Sequence, residues 1–264
     1  MNCFKNTNIE KNQKKSGRRF IRCNLPVITA GICALMLTLL IFFVRTVDVA
    51  PIGPMGTTIG LSHINKAVFD FTGVNMLWYN ITDWLGVLAL VIALAFAITG
   101  FLQLIKRRRI LSVDFEILTL GILYIVMIGI YIFFEFVPIN YRPIIMPNCN
   151  RPEASFPSSH TMLVCVIMGS AIISVGKYIN NALPKIIIRT LLSLVIMLTI
   201  VGRLISGVHW VSDIVGGLLI SALLLSLFIS VRNRHTEKIN SKNKYRDKDI
   251  VTINSVDKEQ KSRR

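Results

Sequence analysis

Six apolar runs divide this chain of 264 residues and leave it few folds. They lie at about Leu25–Val44, Trp84–Ile105, Ile117–Phe134, Thr161–Val175, Ile186–Val201 and Ile214–Val231. Most approach the roughly 20 residues that a helix needs to cross a hydrocarbon core. In lipid a backbone must satisfy its own hydrogen bonds, so runs of this kind become helices. With 53% hydrophobic residues, the composition is that of a polytopic membrane protein and not of a soluble domain. The expected fold class is all-α, a six-transmembrane-helix bundle over residues 25–231. A basic tail (1–24) precedes it, and a basic, disordered tail (232–264) follows.

The net charge of +16 is placed in a way that speaks against nucleic acid. Twenty-five of the 30 Lys and Arg residues fall in the two tails, the Lys106–Arg109 loop and the segment around Lys177, Lys185 and Arg189. The alternate segments hold only Arg45, Lys66, Arg142, Arg151 and Arg203. By the positive-inside rule, both termini are cytoplasmic and those five residues lie outside. The sequence therefore predicts a multi-pass protein of the cell (plasma) membrane. Leu25–Val44 is long for a signal peptide and no small-x-small site follows it closely, which marks an uncleaved anchor. Five cysteines show neither disulfide nor zinc spacing.

Two polar clusters share the predicted outer face. In the first, Arg203 and His209 flank Gly207, and Asp213 follows His209 by four residues. Gly207 permits a tight turn between two helices, and the i, i+4 spacing puts the carboxylate within reach of the imidazole. Alone, this stretch suits a phosphate-attacking site and a pair of decorated helix ends equally well. The second cluster runs through Asn140-Tyr141-Arg142-Pro143 and Asn150-Arg151-Pro152 to Pro157-Ser158-Ser159-His160, just before an apolar run. Pro157 is expected in the first helical turn, where its fixed φ suits a helix start. Free amides there form an anion site, Ser158 and Ser159 add hydroxyls, and His160 adds a group that exchanges protons near neutral pH. Together the clusters hold arginines, two histidines and an aspartate. No nearby grouping of carboxylates, histidines or thiols suggests a metal, and arginines with helix-start amides suit a phosphoryl group without one.

Pro157-Ser158-Ser159-His160, and Arg203 with His209 and Asp213 at their spacing, resemble the second and third signature motifs of the type 2 phosphatidic acid phosphatase superfamily. The six spans resemble its integral membrane lipid phosphatase branch. The resemblance implies a metal-independent reaction without a cofactor. His209 is the nucleophile that forms a phosphohistidine, Asp213 orients it, and His160 is the acid and then the base. Arg142 and Arg203 hold the phosphate oxygens, with Ser158 and Ser159 helping. The family's first motif is a lysine, six residues and Arg-Pro. Arg142-Pro143 supplies the end of it, but Glu135 stands where the lysine belongs. Arg151 and Lys66 are the candidate substitutes. Gly202 and Ser159 also depart from the family's usual serine and glycine.

Three functions stay open at this point. One is a phosphatase for a lipid phosphate or diphosphate of the phosphatidic acid, phosphatidylglycerol phosphate or undecaprenyl diphosphate type. A second is a lipid phosphotransferase on the same scaffold. The third is a non-catalytic binding or transport protein for anionic lipid, favoured by the missing lysine. The expected partners are that substrate and membrane lipid, with no nucleic acid and with the oligomeric state open. A helix is expected in Leu61–Phe71, an aromatic belt at Trp78, Tyr79 and Trp84, and helix caps at Asp83 and Asp114.

Overall fold

In the computed structural model, residues 2–147 and 149–262 are described. They form seven α-helices: α1 (Asn2–Thr46), α2 (Ser62–Thr72), α3 (Met76–Arg107), α4 (Phe115–Phe136), α5 (Ser159–Tyr178), α6 (Ala182–Ile205) and α7 (Val211–Ser262). Six carry stretches long and apolar enough to cross a membrane, Cys23–Thr46 of α1, Val211–Asn243 of α7 and the whole of α3, α4, α5 and α6. The six expected spans are all present. Each helix runs past its apolar run at both ends. α3 gains eight residues at its start, beginning at Met76 where Asn75 accepts from the Leu77 and Trp78 N–H groups at 3.1 and 3.2 Å.

The tail expected to be disordered instead continues α7 as helix to Ser262. No glycine or proline follows Gly217, and the segment is rich in Lys, Arg, Glu and Gln, which lose little freedom in a helix. By Cα proximity Ile28–Phe228 forms one compact unit, and the chain on either side of it contributes the other.

Within Ile28–Phe228, α5 is the enclosed element and packs against α3, α4 and α6. Met162, Val164, Val166, Ile167 and Met168 of α5 are buried with Leu120, Leu123, Ile220 and Leu224 in a single apolar core. Large apolar side chains such as Leu94, Phe101, Ile125 and Leu191 face outward around the bundle, as a lipid solvent requires. Strict alternation of the spans collects 47–75, 137–158 and 206–210 at one end.

That end is braced by polar contacts. The short helix expected near Leu61–Phe71 is α2. Asp48 accepts from the Ser62 hydroxyl at 2.9 Å and the His63 N–H at 2.7 Å, which satisfies the helix start. Buried Asn65 donates to the Gly60 carbonyl and the Ser212 hydroxyl, and accepts from the Ser212 N–H. Asn75 N–H donates to the Ser206 carbonyl at 3.2 Å. The 47–75 segment is thereby fastened to the turn between α6 and α7.

Gly207 is the pivot of that turn. Its φ is +67°, and a Cβ there would meet the Gly73 carbonyl oxygen at 2.2 Å. Gly207→Ala is expected to cost about 1–3 kcal/mol through backbone strain and the displaced loop. The lowered unfolding midpoint of the variant in detergent measures it.

Candidate active site

The loop between α4 and α5 folds back on itself. Ser155 N–H donates to the Asn140 carbonyl at 2.9 Å, and Arg142 N–H donates to the Glu153 carbonyl at 3.0 Å. This short pairing, with Tyr141 opposite Ala154, carries Arg142 and Ser155 to the start of α5. It also meets the α6–α7 turn, where the Trp210 indole N–H donates to the Tyr141 carbonyl at 2.8 Å.

His209 sits where these segments converge, 4% exposed. Its Nδ1 lies 3.1 Å from the Ser155 carbonyl oxygen, and that oxygen only accepts. Nδ1 therefore carries the proton in the neutral ring, which leaves Nε2 with its lone pair free. Nε2 is buried and has no partner. Burial pushes the imidazole down to about 4, so it is neutral at physiological pH. Asp213 Oδ2 is 3.8 Å from Nδ1, too far for a hydrogen bond. Its carboxylate instead accepts from the Trp210 N–H and from Asn140 Nδ2, each at 3.0 Å. The Ser155 carbonyl orients the ring, and Asp213 fixes the turn that holds it.

Pro157 precedes the helix: Ser158 is the cap residue and Ser159 the first helical residue of α5. The N–H groups of Ser159, His160 and Thr161 have no carbonyl a turn back. Ser158 itself is fully buried. Its N–H donates to the Asp213 carbonyl at 2.9 Å, and its hydroxyl is paired with that of Thr161 at 3.0 Å. It thus joins the start of α5 to α7.

Two cavities meet here. The larger, about 380 Å³, is mainly apolar and runs between α3, α4 and α5 past Val87, Leu90, Met127 and Ile128 to Asp83 and His160. The smaller, about 160 Å³, is polar and is lined by Glu135, Arg142, Glu153, Ser155 and His209 among others. Tyr131 and Ser159 border both. Arg142 Nε lies 3.0 Å from Glu153 Oε2 without the alignment of a hydrogen bond, and Nη1 is unpartnered.

Asp83, expected to cap a helix, lies seven residues inside α3 and binds both remaining site residues. Arg203 Nη2 donates to its Oδ1 at 2.5 Å, and His160 Nε2 lies 3.1 Å from the same oxygen. Arg203 has no exposure, stacks over the Tyr79 ring at 5.0 Å, and keeps Nε and Nη1 unpartnered. Tyr79, expected in an aromatic belt, is the ring on which this guanidinium stacks. Gly86 clears the space for His160, since a Cβ there would lie 3.0 Å from the ring. A sequence signal for Asp83 exists: an acid one helical turn after Tyr79 within a lipid-spanning helix requires a partner. Asp114 does hold the cap position of α4, but its carboxylate pairs with Lys177 at 3.3 Å and Arg107 at 3.4 Å instead of capping.

Arg151 is exposed and lines neither cavity, and Lys66 pairs with Asp70 on the surface of α2. Glu135, in the place of the family lysine, borders the polar cavity. Among the described residues, no group of three or more His, Cys, Asp or Glu is arranged to hold a metal ion.

Two predictions follow from this geometry. Asp83→Asn removes the counter-charge of buried Arg203 and is expected to cost about 1–3 kcal/mol, moderated because Asp83 is partly open to solvent. Detergent unfolding of the variant measures the loss. For His209 the folded value lies below the unfolded one of about 6.5, so the unfolded chain binds the extra proton as pH falls. Its contribution, about 3 kcal/mol, is complete above pH 6.5 and is lost between 6.5 and 4. The stability of His209→Asn is expected to lack that slope, which pH-dependent unfolding of both proteins reads.

Comparison with known proteins bears on the fold and the family. A solved structure with the same fold is described as the crystal structure of the first transmembrane PAP2 type phosphatidylglycerolphosphate phosphatase from Bacillus subtilis. It is 17% identical, with a TM-score of 0.54, over 78% of this chain and 96% of that one. Among curated proteins nothing matches. The model of the PAP2 superfamily matches residues 84–237, which takes in His160, Arg203, His209 and Asp213. With six membrane-type helices and more than half its length matched, the chain belongs to the PAP2 superfamily.

Proposed function

We propose that this protein is a membrane phosphatase that hydrolyses a lipid phosphate or diphosphate at the outer leaflet through a phosphohistidine. One observation carries the reading. His209 Nε2 is unpartnered and neutral, and borders the same polar cavity as the Arg142 guanidinium. An apolar cavity ending at His160 adjoins it. Simple anion binding has no use for a neutral imidazole held in one tautomer. A nucleophile does.

In this mechanism the hydrocarbon lies in the apolar cavity and the phosphoryl group in the polar one. Nε2 attacks phosphorus, the bond to the leaving oxygen breaks, and His160 gives that oxygen its proton. Water then attacks phosphorus, His160 takes its proton, and the N–P bond breaks to release phosphate. Arg142 and the Ser159 amide stabilise the charge on the phosphoryl oxygens. Arg203 borders neither cavity and acts through Asp83, which fixes how it and His160 are turned. Asp213 and Ser158 act by holding the two motifs together. The excess of Lys and Arg at the opposite end supports an extracytoplasmic site and cytoplasmic termini.

The purified protein in detergent with EDTA is expected to release phosphate from lipid phosphates, and His209→Ala is expected to lower the rate at least about a thousandfold. Alkaline quenching during turnover, followed by peptide mass spectrometry, is expected to find phosphate on His209. A requirement for added metal, or activity surviving the substitution, rejects the mechanism.

A further inference from the structure

Ser155 stands two residues before Pro157 and belongs to neither signature motif. It is nonetheless the residue that orients the nucleophile, since its carbonyl oxygen faces His209 Nδ1 at 3.1 Å. Its N–H is engaged as well, donating to the Asn140 carbonyl at 2.9 Å. With both backbone groups committed, only the side chain is left to offer. Ser155 is 2% exposed, and its hydroxyl is buried without a partner.

A buried hydroxyl with nothing to bond costs stability, and folded proteins keep few of them. Among the described residues two serines are in this state, Ser155 and Ser174. Ser174 lies within α5 and borders neither cavity. Ser155 borders the polar cavity together with Arg142 and His209. Those two also keep buried unpartnered atoms, Nε and Nη1 of Arg142 and Nε2 of His209. A lone pair suits an electron-poor centre, and N–H and O–H donors suit anionic oxygens. A phosphoryl group supplies both. The charges make a neutral donor useful here. Arg142 is the one cation among the lining residues, Glu153 already lies against it at 3.0 Å, and Glu135 stands where the family has lysine.

We propose that the Ser155 hydroxyl donates to a phosphoryl oxygen while His209 Nε2 bonds phosphorus. One residue then aims the nucleophile through its carbonyl and grips the target through its side chain. This deepens the phosphatase reading and rests on it. The hydroxyl keeps its proton and forms no covalent bond. Because both contacts start from one residue pinned at its N–H and carbonyl, the oxygen is positioned against the imidazole before the ligand arrives.

The test uses the full chain in detergent with two variants, Ser155→Ala and Ser174→Ala. Alanine keeps the Ser155 carbonyl, so only the hydroxyl is lost. Without ligand, both variants are expected to unfold at or above the wild-type midpoint, because each removes an unpaired buried hydroxyl. Inorganic phosphate at fixed ionic strength is expected to raise the midpoint of the wild type and of Ser174→Ala equally. In Ser155→Ala that rise is expected to shrink by about half or more. Turnover is read on phosphatidic acid, phosphatidylglycerol phosphate and a polyprenyl diphosphate. On the best of the three, kcat/KM of Ser155→Ala is expected to fall by about tenfold to a hundredfold, with Ser174→Ala unchanged. A lower midpoint for Ser155→Ala without ligand marks a structural hydroxyl and overturns the proposal. So does a phosphate-induced rise that is absent from the wild type or undiminished in Ser155→Ala. If that rise shrinks as expected but the wild type turns over none of the three lipids, the phosphate contact stands and the phosphatase reading fails instead.

Discussion

A guanidinium with no solvent exposure inside a helical bundle has to find its counter-charge within the protein. Arg203 finds it in Asp83, on a helix 120 residues away in sequence. Leaving such a group unpaired costs several kcal/mol, so the pair fixes the register of α3 against α6. Asp83 Oδ1 also meets His160, and this ties α5 into the same arrangement. Three helices are positioned by one carboxylate oxygen. The packing of Tyr79 under the guanidinium and of His160 over Gly86 depends on that choice of register.

Around this pair the protein separates greasy from polar space. The larger cavity is walled by α3, α4 and α5, and the smaller by the loop before α5 and the turn before α7. They share Ser159 and Tyr131, one at the start of α5 and the other within α4. Within the proposed reaction this junction is where the hydrocarbon ends and the phosphoryl group begins. The two histidines accordingly border different cavities, His160 the apolar one and His209 the polar one.

Much of this was legible in the sequence, for identifiable reasons. Hydropathy marks a spanning helix because lipid permits little else, so all six runs reappear. His160, Arg203, His209 and Asp213 stand out because ionisable groups beside apolar runs are costly. What the sequence concealed lies in long-range geometry. Asp83 looks like a cap when α3 is read from its apolar core at Trp84, and only the earlier start at Met76 puts it inside the helix. Asp213 has the spacing of an imidazole partner, yet tertiary contacts give its oxygens to Trp210 and Asn140. The carbonyl that orients His209 belongs to Ser155, and no side-chain pattern announces a backbone acceptor. Arg151 was a candidate substitute for the missing lysine, but the pairing of 140–142 with 153–155 brings Arg142 to the cavity and leaves Arg151 exposed.

The turn carrying the nucleophile is also the point where the 47–75 segment is moored. Gly207 approaches the Gly73 carbonyl so closely that no side chain fits, Asn75 bonds to Ser206, and Asn65 clasps Ser212. All of that segment precedes the stretch matched by the family model. It works as an alignment jig for chemistry encoded elsewhere in the chain. A change in the length of 47–75 would therefore reach the reactive imidazole without altering a single residue of the signature motifs.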